Sequence, residues 1–447
     1  MAEYRSSILR NAILAAIGIS LIVGVAIFGS TVITQNFPPA QSNSGPYHIS
    51  TSRSSITITN LSSSNTSSIT AASSSSTSSS ISTSTTSSTT SSPTTQYTPQ
   101  GTIATIQFSA SSFSFDNDTG IVYVFGTSSS SNVILEINAS TNQVVAQIVL
   151  PQNESAASGV FDPANKLLYF STNMNSLSPH SSIIALNTTA NSVAANITTT
   201  RFATLALDPI HNILFASYLV TNSSTIFVNA SEISGASNTV TKNITLFSQP
   251  STFGGCCYIG DVSYNYGNGL LYASLGTNGV DGGFGPFDVI FNTTSNQLIS
   301  GFTLKTYGTS SFAQDPSKGI VYVANNGAES ADGAYNPPFI TAGDNVTVGT
   351  GANYTYSIQV ENENNPNGTM GSIFYSSTSQ RLFVANGTLA NNSYQFVDQN
   401  VTIINTLNDQ VSQVIGVQSG VTDLFFDSSN GDLYVASAST IYVIALH

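Results

Sequence analysis

The sequence predicts an all-β fold, a seven-bladed β-propeller, and three observations support this prediction. A phrase made of two apolar strands around a short polar turn returns at intervals of 46 to 61 residues. Each unit contains four runs rich in β-branched and aromatic residues. No stretch inside the repeats has a helical period of apolar residues. Units of this kind bury a core only by packing on one another, so they form a closed array.

The phrase occurs seven times and marks the first two strands of each blade. It begins at Phe113 (FSFDNDTGIVYVFG), Gly159 (GVFDPANKLLYFSTN), Leu205 (LALDPIHNILFASY), Val262 (VSYNYGNGLLYASLG), Phe312 (FAQDPSKGIVYVANNG), Ile373 (IFYSSTSQRLFVANG) and Leu424 (LFFDSSNGDLYVASAS). Asp, Asn, Pro and Gly between the strands are the residues that tight turns require.

The N-terminal region predicts a membrane anchor. Residues 12–34 are apolar, and no Lys, Arg, Asp or Glu lies between Arg10 and Arg53. A bilayer-spanning helix needs about 20 such residues. Basic residues before the span place residues 1–11 in the cytoplasm and the remainder outside, as a single-pass membrane protein with an extracellular C-terminal domain. The alternative is a cleaved signal peptide, whose apolar core is usually about 7–15 residues long.

Residues 35–100 are dominated by Ser and Thr. Such a composition buries too little apolar area to offset chain entropy, so we expect a disordered stalk. Ser/Thr-rich tracts of this kind are typical of O-glycosylated stalks, and the alternative is a bare flexible linker.

Residues 101–447 hold the propeller, and the chain ends suggest how it closes. The last unit supplies three strands before the chain stops, which leaves its outer strand missing. Residues 102–108 are the candidate for that strand. Pairing the two ends would remove the open sheet edges.

The repeat resembles the YVTN-type β-propeller repeat of bacterial and archaeal surface proteins. The resemblance rests on the D-P-x-x-x-G-like turn, the YVAN-like second strand at 322–325 and 383–386, and the I-N-x-x-T-N-like segments at 137–142 and 291–296. It implies a propeller and a surface location, and says little about chemistry. In that repeat, the third strand usually ends in Asp. We expect the third strands of this chain to end in Asn instead, and each of these asparagines begins a sequon. They are Asn138, Asn187, Asn229 and Asn292.

The charge and the composition of the chain limit which classes of molecule it can be expected to bind. Charged residues are 7% of the chain, and the net charge is −13. Typical soluble domains carry about 25% charged residues. Nucleic acid is excluded as an expected partner because it needs clustered Lys and Arg. Few charged residues together with many sequons suggest that the protein faces an acidic medium outside the cell. On that basis we expect an archaeal source.

Sequons of the form N-x-[ST] predict a glycosylated surface. They occur at Asn60, Asn65, Asn117, Asn138, Asn153, Asn187, Asn196, Asn222, Asn229, Asn243, Asn292, Asn345, Asn353, Asn367, Asn386, Asn391 and Asn400.

Cys256 and Cys257 are adjacent and are the only cysteines. Outside the cytoplasm they favour oxidation, and a vicinal disulfide that stiffens its loop is the preferred interpretation. A bridge to another chain is the main alternative. A redox-cofactor role of the quinoprotein type is disfavoured because the chain lacks Trp.

No catalytic or metal motif stands out. The run around Asp116, Asp118 and Gly120 begins like a calcium loop but lacks the closing Glu, so we interpret it as a turn. Four scattered histidines lack zinc-type spacing. They are His48, His180, His211 and His447, and a candidate cation set near the loops is Asp261, Asp281, Asp288, Asp332 and Asp344.

We therefore expect a non-enzymatic, membrane-anchored cell-surface glycoprotein without a cofactor. Insertions at 247–260, 276–287, 325–353 and 386–400 interrupt blades 4–6. Long loops on a rigid scaffold usually carry binding, so a protein or glycan ligand is expected at that loop-rich face, for adhesion, recognition or surface-layer assembly. The alternative is an extracytoplasmic propeller enzyme, hydrolase- or lactonase-like, with or without a cation.

Overall fold

The computed structural model describes residues 57–59 and most of 98–446. The undescribed internal positions are 129–130, 151–153, 175–180, 200, 222–224, 251–256, 278–286, 304–310, 325–344, 352, 361–367, 390–395, 418–419 and 438. The membrane segment predicted at 12–34 lies outside the described residues, and within them no helix is long and apolar enough to cross a bilayer.

Seven antiparallel sheets form a β-propeller, which confirms the predicted fold class. Two strands, β1 (Thr57–Thr59) and β2 (Thr102–Gln107), precede the first complete blade. Blade 1 contains β3 (Ser109–Asp116), β4 (Ile121–Ser128), β5 (Ser131–Asn138) and β6 (Gln143–Val149). Blade 2 contains β7 (Glu154–Asp162), β8 (Leu167–Met174), β9 (Ser181–Asn187) and β10 (Ser192–Thr199). Blade 3 contains β11 (Thr204–Asp208), β12 (Ile213–Thr221), β13 (Thr225–Ser234) and β14 (Thr239–Pro250).

The remaining blades follow the same order. Blade 4 contains β15 (Cys257–Asn265), β16 (Leu270–Thr277), β17 (Phe287–Asn292) and β18 (Gln297–Thr303). Blade 5 contains β19 (Ser311–Asp315), β20 (Ile320–Ala324), β21 (Asn345–Thr350) and β22 (Asn353–Gln359). Blade 6 contains β23 (Gly368–Ser376), β24 (Arg381–Leu389), β25 (Phe396–Asn405) and β26 (Gln410–Val417). Blade 7 contains β27 (Val421–Asp427), β28 (Asp432–Ser437) and β29 (Thr440–Ala445).

The ring closes as the sequence predicted. Strand β2 pairs with β29 and becomes the outer strand of blade 7, with Thr105 opposite Tyr442. Phe108, the last residue of the predicted closing segment, lies just beyond β2, and its N–H donates a 2.8 Å bond to the Ser439 carbonyl. Both chain ends of the propeller are therefore held in one sheet.

The turn between the first and second strands is the most regular feature of the repeat. It contains four residues in every blade, and its last residue has a φ between 51° and 82°. Those residues are Gly120, Lys166, Asn212, Gly269, Gly319, Gln380 and Gly431. Gly and Asn tolerate this left-handed conformation best, which explains most of these choices.

The core lies between neighbouring blades, where both faces of each sheet are apolar. Second-strand tyrosines add hydrogen bonds to this packing. The buried Tyr169 hydroxyl donates 2.7 Å to Asn238 in blade 3, and Tyr272 donates 2.8 Å to the Gly351 carbonyl in blade 5. Each bond reaches the turn between the third and fourth strands of the next blade, so it joins two repeats.

One part of the predicted disordered stalk forms a strand. Thr57–Thr59 pairs antiparallel with β6 and makes blade 1 five-stranded. The prediction of disorder throughout 35–100 is wrong at these residues, because the β-branched run ITIT is suited to pairing with an open edge.

Candidate functional site

The first strands of the blades surround the central channel. Each is the inner edge of its sheet, and consecutive first strands lie against one another around the ring. The residue before the repeated phrase holds the same position in all seven. In blade order these residues are Ser112, Ser158, Thr204, Asp261, Ser311, Ser372 and Asp423. Two carboxylates therefore stand in a ring of hydroxyl residues, in blades 4 and 7.

Asp261 joins blade 4 to blade 5. Its Oδ2 accepts a 2.8 Å bond from the N–H of Phe312, and its Oδ1 accepts a 2.7 Å bond from the N–H of Val262. Phe312 belongs to the inner strand of blade 5, whose edge has no further strand to pair with among the described residues. The carboxylate thus satisfies a backbone donor that the sheet leaves open.

Asp423 joins three blades at the point where the ring closes. Its Oδ2 accepts a 2.9 Å bond from the N–H of Phe113 in blade 1. Its Oδ1 accepts bonds from the Ser372 hydroxyl of blade 6 at 2.5 Å and from the N–H of its own neighbour Leu424 at 2.9 Å. These contacts connect blades 6, 7 and 1.

The surroundings of both carboxyls favour their neutral form. Each side chain remains partly accessible, but its carboxyl group is closely surrounded by protein. That desolvation raises the pKa of Asp261 and of Asp423 to about 6, against the hydrogen bonds, which favour the charged form. For Asp261 the negative charge of Asp423 adds to the increase.

A carboxyl with a pKa near 6 can exchange a proton close to neutral pH. Both groups, however, already accept hydrogen bonds through both oxygens, which gives them a clear structural role. Within the described part of the chain, no group of three or more His, Cys, Asp or Glu side chains could hold a metal ion.

The predicted cation set is only partly within the described residues. Asp261 lies on the inner strand of blade 4, whereas Asp288 is buried on the third strand of the same blade. The other three, Asp281, Asp332 and Asp344, lie outside the described residues. Asp423 was missed by sequence reasoning, although aligning the residue before each phrase would have found it beside Asp261.

The calcium-like run of blade 1 is a turn. Oδ1 of Asp116 accepts a 2.9 Å bond from the N–H of Asp118 and a longer one from Thr119. His211 occupies a matching turn in blade 3, where its Nδ1 lies 2.7 Å from Asp208. The other histidines, His48, His180 and His447, lie outside the described residues.

The cysteine prediction stays a prediction. Cys257 begins β15 and lies opposite Thr277, whereas Cys256 is outside the described residues.

Three of the expected asparagines end the third strand. Asn138, Asn187 and Asn292 each accept a backbone N–H through Oδ1, with distances of 2.8–3.0 Å, and so cap the turn that follows. The placement of Asn229 was wrong. It lies inside β13, and the end of that strand is Ser234.

The asparagines of the other described sequons differ in how far they are exposed to solvent. Asn117, Asn196, Asn243 and Asn353 are exposed. Asn386 is only 4% exposed, and its Oδ1 accepts a 2.9 Å bond from Thr402, so the folded chain does not present its amide. Asn400 and Asn229 are half-buried, and Asn345 begins β21. The sequons at Asn60, Asn65, Asn153, Asn222, Asn367 and Asn391 lie outside the described residues.

The two faces of the propeller differ in regularity. The first-to-second turns all have four residues, and the third-to-fourth turns have four except for two in blade 5. The connections between second and third strands lie at the opposite face and range from two residues in blades 1 and 7 to nine in blade 4 and twenty in blade 5. Most of the residues in the predicted insertions lie outside the described part of the chain.

Comparison with known proteins supports the fold alone. No family model matches the chain, and no curated protein matches it significantly. Among solved structures, Kuenenia stuttgartiensis hydrazine synthase is similar with a TM-score of 0.57 and 14% identity over 78% of this chain and 99% of that one. A chain of the mitotic checkpoint complex is similar with a TM-score of 0.54 and 11% identity over 79% of this chain and 94% of that one. At such identities the chain shares with these proteins a β-propeller fold.

Proposed function

We propose that this chain is a non-enzymatic, membrane-anchored cell-surface glycoprotein whose loop-rich face serves adhesion, recognition or surface-layer assembly. The observation that carries the proposal is the difference between the two faces. One face keeps turns of nearly constant length, and the other varies from two to twenty residues. A rigid ring that varies on one face alone is typical of a scaffold that displays binding loops.

The ligand class is a protein or a glycan, bound at blades 4–6. The two longest second-to-third connections belong to blades 4 and 5. The chain has nine Lys and Arg against twenty-two Asp and Glu, which disfavours a polyanionic ligand such as nucleic acid.

The sequons occur on both faces of the propeller. Asn117 lies in a first-to-second turn, and Asn138, Asn187 and Asn292 end third strands, so all four belong to the regular face. Asn345 begins β21 at the variable face, and in the sequence Asn222 and Asn391 fall between second and third strands, so a ligand at that face would bind among any glycans carried there.

Shortening one loop tests the proposal in the full-length chain displayed on cells. Residues 325–344 are replaced by a two-residue connection like that of blade 1. Binding is measured to an immobilised glycan array and to purified copies of the same chain. We expect the affinity for whichever probe binds to fall at least tenfold.

The matched control is Leu407→Ala, which changes a side chain that is 73% exposed in a turn of the regular face and creates no sequon. This variant should bind like the parent. Equal binding by the loop variant would contradict the proposal. Turnover of ester or lactone substrates that depends on a stoichiometric metal would instead establish the enzyme alternative, with the channel carboxyls of Asp261 and Asp423 as the first groups to substitute.

A further inference from the structure

We propose that the outer edge of blade 1 is a binding site for an extended peptide, and that Thr57–Thr59 of the same chain is its occupant. The two strands pair in register, with Thr57 opposite Val149 and Thr59 opposite Gln147. An outer strand exposes unpaired backbone N–H and C=O groups, and an added strand satisfies them.

The exposure of β6 differs from that of the matching outer strands. The strand register shows that Gln147 of blade 1, Asn196 of blade 2 and Asn243 of blade 3 occupy equivalent positions. In each blade, the next residue of the outer strand lies opposite the same position of the third strand. Gln147 is half-buried, whereas Asn196 and Asn243 are exposed. Val149, two residues on, is also half-buried, as expected for an edge that is covered.

The sequence at these matched positions also indicates that the outer edge of blade 1 can accept a further strand. Blades 2 and 3 read N-I-T from Asn196 and from Asn243, so both edges carry a sequon. Blade 1 reads Q-I-V from Gln147 and carries none. A glycan at the edge blocks strand pairing, whereas the edge of blade 1 stays open to a peptide.

The direction of the chain makes an intramolecular occupant feasible. Because β1 is antiparallel to β6, it runs toward the turn that precedes β6. Strand β2 begins at the same face in blade 7, where Thr102 lies opposite Ile444 at the end of β29. Blades 7 and 1 share one hydrophobic cluster, so the residues between Thr59 and Thr102 connect neighbouring blades.

Docking has a consequence for the tether, which rests on the proposed membrane anchor. When the edge of blade 1 is empty, 67 residues (35–101) separate the predicted membrane span from the propeller. When β1 is docked, only 22 residues (35–56) separate them. At about 3.4 Å per residue, the maximum reach falls from about 230 Å to about 75 Å. The docked strand therefore limits how far the propeller stands from the membrane.

Disulfide trapping in the full-length chain tests the pairing. Thr59→Cys is combined with Gln147→Cys, since directly opposed residues in antiparallel strands have Cα atoms about 4.5–5.5 Å apart, within disulfide range. After mild oxidation, mass spectrometry of peptides identifies the bridge and separates it from any bridge to Cys256 or Cys257. We expect most of the protein to carry a disulfide between positions 59 and 147 as a monomer.

The control combines Thr59→Cys with Asn196→Cys at the matched position of blade 2, which should give at least tenfold less bridge. No bridge in the test pair, or equal yields in test and control, would overturn the site. A bridge found only in covalent dimers would overturn the intramolecular occupant. None of these outcomes depends on the proposed ligand at the loop face, which is tested separately by loop replacement.

Discussion

The phenolic hydroxyl of Tyr375 donates a 2.9 Å hydrogen bond to Oδ2 of Asp315, across the boundary between blades 6 and 5. Asp315 is fully buried and ends the first strand of its blade. Tyr264 of blade 4 makes the same contact with Asp208 of blade 3. Asn265 replaces the carboxylate in blade 4, and its amide donates a 2.8 Å bond to Gln314 of blade 5. At these three boundaries, the residue that ends the first strand is thus matched to a residue of the following blade.

Tyr375→Phe should destabilise the protein by about 1–3 kcal/mol, because Asp315 loses a donor in a buried site. Burial would by itself raise the pKa of Asp315. Hydrogen bonds from Ser317, Tyr375 and Lys318 outweigh it and lower that pKa, so the carboxylate is charged and depends on its donors. Urea denaturation at neutral pH measures the loss. The matched control is Tyr356→Phe, whose hydroxyl bonds Asp409 at 2.8 Å on the exposed rim and should change stability by less than about 1 kcal/mol.

Phe161→Tyr should stabilise the protein by about 1 kcal/mol. Phe161 holds the position of Tyr375, and the preceding blade ends its first strand in Asp116. Oδ2 of Asp116 is buried and has no hydrogen-bond partner among the described residues. A hydroxyl on the ring would supply the missing donor, and thermal denaturation measures the gain.

Phe426→Tyr is the control, because the preceding blade has Ser376 there and no carboxylate to satisfy. A gain in this control equal to that of Phe161→Tyr would show that the added hydroxyl acts in another way.

Glu136→Gln should raise stability at neutral pH. Glu136 is 8% exposed, and its Oε1 has no hydrogen-bond partner among the described residues. Burial raises the pKa of this carboxyl, so the charged form destabilises the fold above that pKa. The gain from Gln should therefore be largest at pH 7 and shrink toward zero near about pH 4, where unfolded Glu is also becoming protonated.

Glu232→Gln provides the matched control for that experiment. Glu232 holds the same position in blade 3, but it lies opposite Lys242, and Nζ is 3.5 Å from its Oε1. Glu136 lies opposite Ala146. Glu232→Gln should therefore leave stability unchanged or lower it slightly, and a gain equal to that of Glu136→Gln would contradict the role of burial.

The stability of the ring should fall as pH rises from about 4 to about 6. In that window the folded protein keeps protons on Asp261 and Asp423, whose pKa values are raised to about 6, while the unfolded chain has released them near about pH 3.9. Stability decreases with pH wherever the folded state binds more protons. Asp261→Ser and Asp423→Ser introduce the residue found at the matching position of blades 1, 2, 5 and 6, and each should flatten this slope in urea midpoints measured from about pH 4 to 8. Ser158→Ala, at the matching position of blade 2, changes no titratable group and should leave the slope unchanged, and an unchanged slope in both channel variants would exclude the assignment.

Much of the fold follows from the repeated phrase. Seven copies predict seven blades, and a last unit of three strands predicts that residues near Thr102 complete it. These inferences hold because the apolar alternation and the turn residues are local properties of the chain. The placement of Asn229 failed because strand β13 extends to Ser234, five residues further than its sequon suggests.

The sequence by itself determined the β-propeller class, the blade count and the closing strand, since periodicity and turn chemistry act within each repeat. Only the tertiary structure decided which residues meet across blade boundaries. It set Asp423 against Phe113 of blade 1, left Oδ2 of Asp116 without a donor among the described residues, and paired Thr57–Thr59 with the edge of blade 1. The physical reason is that these contacts join residues far apart in the chain, and local patterns carry no information about which strand edges the closed ring leaves open.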